Sequence, residues 1–291
     1  MEYRIHPHRY DNFDRYYNIV REAMTLLGHT EVKKAADINF FNHIHTFEDD
    51  CIIVKPTAPT SKHFALDSHG YANTSEIAYE EPIEFEYVDM DWSKITKLID
   101  DKANKWDDSI LLKWRKEKQE IPKDHILVIG QMPLDETVKG FGFGDHWKKL
   151  CEIVEFLNLD DVQGLGPIVV KLHPSMKGKI QQIKNWREAG ITVIDGYISI
   201  HDILPKTRVA IVENSTAGIE CLMHQVPVIS HGWPEYHWVT AKMQTLPHLQ
   251  DLIYNMNWHD VNRANQFVYW YINYYLCTDI NSTVKRLSQL I

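Results

Sequence analysis

The sequence predicts an α/β protein of two units, the second built on a doubly wound parallel sheet. Three observations carry that expectation. From residue 124 onward, short apolar strand-like runs alternate with helix-period patterns, the signature of β-α-β units. The chain changes character at Ile121-Pro122-Lys123-Asp124, a polar break holding a proline, which separates this regular half from a less regular one. With 291 residues, 44% hydrophobic and 24% charged, the chain can bury two modest cores. The expected units are 1–122, 123–245, and C-terminal helices over 246–291 that pack back on both.

In the first unit, "YYNIVREAMTLLG" has helical spacing and is closed by Gly28, while "INFFNHIH" and "CIIVKP" read as strands. The segment "HFALDSHGYANTSEIAYEEP" reads as loop-rich, and loops on a rigid scaffold often carry binding groups. "KWRKEK" at Lys113–Lys118 reads as a solvated helix face. The second unit runs strand "HILVIG", helix "HWKKLCEIVEFLN", strand "PIVVKLHP", helix "KIQQIKNWREAG", strand "TVIDG" and a short helix at "HDILPKT". It then reaches "VAIVENSTAGIECLMHQVPVISHG", read as strand, turn, helix, strand: Val209–Val212 is a β-branched run, and Ile219, Cys221, Leu222 and Val226 share a helical face. Finally "NRANQFVYWYINYYL" is apolar all round and predicts a helix buried against both units, with an exposed aromatic platform for nucleobases as the alternative.

Composition excludes several classes. A net charge of −9 disfavours nucleic acid and anionic membranes as partners. No apolar run approaches the roughly 20 residues of a membrane span, and "MEYRIHPHRYDNFDRYY" has no apolar targeting core, so a cytoplasmic protein without integral membrane association is expected. The four cysteines, Cys51, Cys151, Cys221 and Cys277, are too scattered for a zinc knuckle or a disulfide framework. Sixteen histidines include His43 and His45 on one predicted strand face, yet no HExxH or dense Asp/His cluster accompanies them, and no metal is expected.

Three strand ends of the second unit bring polar residues to one sheet edge, where open α/β folds bind ligands: "GQMPLDET", "KLHPS" and "ENSTAGIE". In the third, Asn214, Ser215 or Thr216 could simply cap a helix, or the free N–H groups there could hold an anion such as a phosphate. His173, extended by the following Pro174, could donate to a phosphate oxygen or be satisfied at the strand end. Asp135, four residues after Gln131, could be a base, a nucleophile or a hydroxyl ligand. Glu220, about one and a half turns into the helix, could reach ligand hydroxyls or face water. The glycines Gly140, Gly142 and Gly144 in "KGFGFGDH" fit neither a P-loop nor the dinucleotide fingerprint, and read as a flexible loop.

These motifs resemble the glycosyltransferases of bacterial capsular polysaccharide synthesis, particularly the retaining β-Kdo transferases. The likeness rests on Gln131-x-x-x-Asp135, on His173-Pro174, and on Ser215-x-x-Gly218-x-Glu220-x-Leu222 followed by Pro227 to Gly232 and Tyr236. A weaker likeness surrounds Asp67 and Gly70-Tyr71, so the resemblance spans roughly 63–79 and 125–237. It implies two Rossmann-like domains in the GT-B arrangement with the active site between them. It further implies a CMP- or UDP-linked sugar as co-substrate with no other cofactor, and a glycan acceptor. The residues "NST" would cradle the donor phosphate together with His173, Glu220 would touch ribose or base, Asp135 would attack the anomeric carbon, and Asp67 and Tyr71 would lie on the acceptor side. This chain departs from the family at Leu134 and Thr137, where Gly and Ser are usual, and at Glu235, where Phe precedes Tyr. Two alternatives follow: a transferase acting on hydroxymethylated bases in duplex DNA, motivated by compact size, and a non-catalytic nucleotide-sugar binder, motivated by the altered loop.

Overall fold

The computed structural model describes residues 1–6, 14–42, 49–106, 108–113, 116, 118–132, 137–138, 145–159, 162–174, 176 and 179–291. The first sheet contains β1 (Glu2–Ile5), β2 (Thr30–Glu31), β3 (Ile38–Phe41), β4 (Cys51–Pro56) and β5 (Phe64–Asp67) in the order β2-β1-β3-β4-β5. All pairings are parallel except β4–β5. Helix α1 (Asp14–Leu26) lays Tyr17, Val20 and Met24 on this sheet against Tyr3, Phe40 and Val54, and the chain leaves it through Gly28 at φ +80°. That positive φ is the left-handed backbone a helix terminator needs.

Part of the first unit differs from the sequence reading. The segment expected as a loop holds β5, a 3₁₀ turn (Ala72–Thr74) and the short α2 (Glu76–Tyr79). All four β5 residues are buried, and a fully buried four-residue strand shows no alternation to read. Lys116, expected on a helix face, instead forms a parallel bridge with Tyr197, a non-local pairing that local periodicity cannot reveal. Helices α3 (Trp92–Asp100) and α4 (Asp108–Leu111) lead toward the second sheet.

The second sheet contains β6 (His125–Ile129), β7 (Ile168–Lys171), β8 (Thr192–Ile194), β9 (Thr207–Val212), β10 (Val228–Ser230) and β11 (Ala241–Lys242), all parallel, in the order β11-β10-β9-β6-β7-β8. Five of these strands stand where the apolar runs placed them; β11, two residues long, carries no periodic signal. Counted from β6 this is the 3-2-1-4-5-6 order of a Rossmann sheet. Its strands divide their side chains between two cores. Leu127, Ile129, Val169, Ala210 and Val212 face one, with Ile219 and Leu222 of α8 (Ala217–Met223). Ile126, Val128, Val170, Val209 and Ile211 face the other, with α5 (His146–Leu157), α6 (Ile180–Glu188) and α9 (Leu246–Tyr254). A sheet buried on both faces explains why the runs are continuously apolar. Between β8 and β9 lies α7 (Ile200–Ile203).

Helix α10 (Val261–Trp270) continues into a π-helical turn over Tyr271–Tyr275, and α11 (Ile280–Leu290) closes on the first sheet through Leu287. Phe267, Tyr271 and Tyr275 stack in series with centroids 6.0 and 5.4 Å apart and are at most 3% exposed, so these rings form core and not an exposed platform for bases. Among the described residues no helix is long and apolar enough to cross a membrane.

Candidate active site

The Rossmann order places a switch point between β6 and β9: β6 connects onward to β7 on one side and β9 to β10 on the other. Loops leaving the carboxyl ends of two such strands diverge and open a crevice. Here the crevice is a cleft of about 400 Å³. Gly130, Gln131 and Thr137 line it after β6, His173 after β7, and Asn214, Ser215 and Thr216 after β9. The opposite wall comes from the first unit, through Arg15, Tyr16, Lys55, Thr57, Tyr71 and Ala72.

Gln131 is held from two directions. Its side-chain Nε2 donates to Thr137 Oγ1 at 2.7 Å, and its backbone N–H donates to His146 Nε2 at 2.9 Å. Because that ring nitrogen accepts, the imidazole proton sits on Nδ1, which donates to Glu213 Oε2. His146 and Glu213 are both buried, so this chain of bonds ties the loop after β6 to the loop after β9 inside the protein. A Cβ on Gly232 would stand 2.6 Å from the Glu213 carbonyl oxygen, which is why the run after β10 stops at glycine. His231 stacks on His146 at 6.4 Å, and burial, helped by nearby His146, Lys149 and Lys242, pushes its pKa down to about 3.

The "NST" residues divide the work that the sequence left open among them. Ser215 Oγ accepts from the Ala217 N–H at 3.3 Å where α8 begins. Asn214 turns inward, donating from Nδ2 to the carbonyl of Thr137 at 2.8 Å, and its buried Oδ1 has no partner among the described residues; the same holds for the buried Gln131 Oε1. Thr216 Oγ1 accepts from Lys105 Nζ at 3.1 Å. Tyr236 packs across Gly218 and donates from its hydroxyl to the Ser215 carbonyl.

His173 reaches the cleft, with the Trp106 ring edge-on to it at 6.2 Å. Pro174 follows outside the lining. Glu220 is half-buried on α8 and does not line the cleft; loss of hydration pushes its carboxyl up to about 7, against the pull of Lys105 and Lys171. Tyr71 lines the opposite wall under the Lys55 ammonium, 4.5 Å from its ring centroid. Asp67, expected beside it on the acceptor side, is fully buried and away from the lining. Its oxygens accept from the N–H groups of His69, Gly70 and Glu76 and from the Tyr275 hydroxyl at 2.6 Å, so its carboxylate organises the turn that presents Tyr71. Asp135, His43, His45 and the glycines at 140, 142 and 144 lie outside the described residues.

The sequence reading did not single out Lys105, Trp106, Lys55 or Arg15, and it met Glu235 only as a departure from the family pattern. Lys55 lies in the strand read from "CIIVKP" without being marked as a site residue, and the other three belong to no periodic run or motif; all four reach the cleft because one unit folds against the other. Glu235 lines the cleft, is 8% exposed, and accepts from the Tyr271 hydroxyl. Burial pushes its carboxyl up to about 7.

A Rossmann-ordered sheet whose switch-point cleft faces a second α/β unit is the GT-B architecture. Two solved structures share it along nearly the whole chain. The β-Kdo 2,7 transferase of Thermosulfurimonas dismutans KpsC superposes with a TM-score of 0.58 at 13% identity, covering 99% of each chain. The β-Kdo 2,4 transferase of the same KpsC does so with a TM-score of 0.56 at 15% identity, covering 99% of this chain and 98% of the other. No curated protein matches the sequence. The chain belongs to the capsule polysaccharide biosynthesis protein family, whose profile matches residues 85–274. That membership lends no support to a DNA acceptor.

Proposed function

We propose that this chain is a glycosyltransferase that moves a sugar from a CMP- or UDP-linked donor onto a hydroxyl of a bacterial surface glycan or its precursor. The observation that carries the reading is the convergence of anion-suited groups at the switch point: His173, Ser215, Thr216 and Lys105 meet on one wall of a cleft whose other wall is aromatic and basic. Family membership and the GT-B fold support the same reading.

In the proposed reaction the donor phosphate lies against Ser215, Thr216, His173 and Lys105. Asp135 attacks the anomeric carbon as the bond to the nucleotide phosphate breaks, and the electron pair leaves with the phosphate. The cation and N–H donors on that wall stabilise the departing charge. The acceptor hydroxyl then displaces Asp135, so two inversions give net retention. Tyr71 serves the acceptor side, and Asp67 supports it from beneath. The bonds of Gln131 to His146, and of His146 to Glu213, fix the backbone where the chain leaves β6.

Thermal unfolding in the presence of CMP, UDP, GDP, ADP and their common sugar conjugates tests the donor. A ligand at about 100 times its dissociation constant stabilises the fold by about 2.7 kcal/mol. Asp135→Ala and His173→Ala should abolish transfer in folded protein; full activity in both would sink the assigned site. Binding without turnover would favour the non-catalytic reading, and silence to every nucleotide would leave the likeness as fold alone.

A further inference from the structure

Among the described residues that line the cleft, Glu235 is the one carboxyl. It follows the loop after β10 but meets the first unit: the Ala72 N–H donates to it, and Lys55 and Asp67 act on its charge. From the C-terminal segment, the Tyr271 hydroxyl donates to it, with Tyr275 and its own neighbour Tyr236 also within electrostatic range. Ala72 adopts φ +54°, a left-handed backbone that costs a non-glycine residue about 1 kcal/mol or more, and persists because its surroundings hold it. The carboxyl is thus fixed at the seam of the two units, on the wall that carries Tyr71 and Lys55, across from the donor-phosphate groups.

Resting on the transferase reading above, we propose that Glu235 is the general base that activates the acceptor hydroxyl. As the acceptor oxygen bonds to the anomeric carbon, its proton passes to the Glu235 carboxylate. The bond from that carbon to Asp135 breaks, and the electron pair returns to the Asp135 carboxylate; Glu235 then releases the proton to solvent. A base must be partly ionised at working pH yet basic enough to take a proton, and a carboxyl raised by burial to about 7 meets both needs. Lys55 keeps the ionised form within reach, while Asp67 and the loss of hydration oppose it.

Water can replace the acceptor in the test. Wild-type protein is given CMP-Kdo, UDP-glucose or UDP-N-acetylglucosamine, and nucleotide release is followed together with the intact protein mass. With the donor that wild type turns over, Glu235→Gln should release one equivalent of nucleotide, keep the sugar mass on the protein, and then turn over roughly 100-fold or more slowly. Wild-type turnover should fall off below about pH 7, and Tyr271→Phe, which removes a donor that favours the ionised carboxyl, should move that limb upward. Turnover by Glu235→Gln within a few-fold of wild type with the same pH limb would overturn the assignment, even if its melting temperature dropped, because that pattern marks a structural latch. No nucleotide release by wild type from any donor would instead remove the transferase reading, and this assignment with it.

Discussion

Gly218→Ala sets two effects against each other, and the structure decides which wins. Gly218 lies in the first turn of α8, without a left-handed φ, so local preference favours alanine by about 1 kcal/mol. The added Cβ would stand 2.6 Å from Tyr236 Cε2 and closer still to its Cζ and hydroxyl oxygen. Tyr236 is 1% exposed and cannot swing aside without disturbing the core. Overpacking of this kind costs about 1–3 kcal/mol, and losing the buried bond from the Tyr236 hydroxyl to the Ser215 carbonyl adds about 1 kcal/mol. The net expectation is a loss of roughly 1–3 kcal/mol, read as a lower urea midpoint at unchanged slope. Nucleotide affinity should fall as well, since Ser215 and Tyr236 both line the cleft. In a double-mutant cycle with Tyr236→Leu the penalty should shrink, because the crowding ring is gone. A Gly218→Ala protein as stable as its parent, binding nucleotide equally well, would refute the packing of Tyr236 on this glycine.

Lys105→Met should weaken nucleotide binding roughly tenfold, about 1.4 kcal/mol, by removing the cation that meets Thr216; an unchanged calorimetric Kd would remove Lys105 from the phosphate site. Asp67→Asn should cost about 1–3 kcal/mol in thermal unfolding, since the amide can keep its oxygen on the three N–H groups only by placing its nitrogen where Oδ2 now accepts from the Glu76 N–H and the Tyr275 hydroxyl. It should leave the nucleotide Kd unchanged, and a lower affinity at full stability would contradict the buried, organising role. For His231 the folded pKa lies near 3, below the free value of 6.5, so its contribution to stability is full above pH 6.5 and is lost as pH falls toward 3. His231→Leu should therefore flatten the decline of stability between pH 6 and 4 in urea titrations, and an unaltered slope would sink that account.

Much of the second unit could be read from its residues. Buried parallel strands are continuous apolar runs, so Ile126–Ile129, Val169–Val170 and Val209–Val212 stand out without reference to neighbours. One wall of the cleft was legible for the same reason, because strand ends in such sheets converge by topology; Gln131, His173 and Ser215 meet where the order of runs placed them. Asp67 was expected on the acceptor side, since a carboxylate beside Gly70-Tyr71 looks accessible in a string of letters; only the tertiary structure shows the three N–H groups and the Tyr275 hydroxyl that close over it. Glu220, expected at the ligand or in water, is half-buried on α8 outside the cleft lining, where Lys105 and Lys171 act on its carboxyl.

The sequence by itself determined the α/β class, the parallel second sheet and the sheet edge where its strand ends form a cleft, because each follows from periodicity and from the rules of strand connection. Only the tertiary structure decided what faces that edge. Lys105 bonding to Thr216 across 111 positions, Glu235 meeting Ala72 and Tyr271, and Lys55 over Tyr71 depend on one unit closing against the other. Contacts between residues so distant leave no local periodic trace, and the chemistry of a carboxyl such as Glu235 comes from the water that burial removes, a property its neighbours in sequence do not encode.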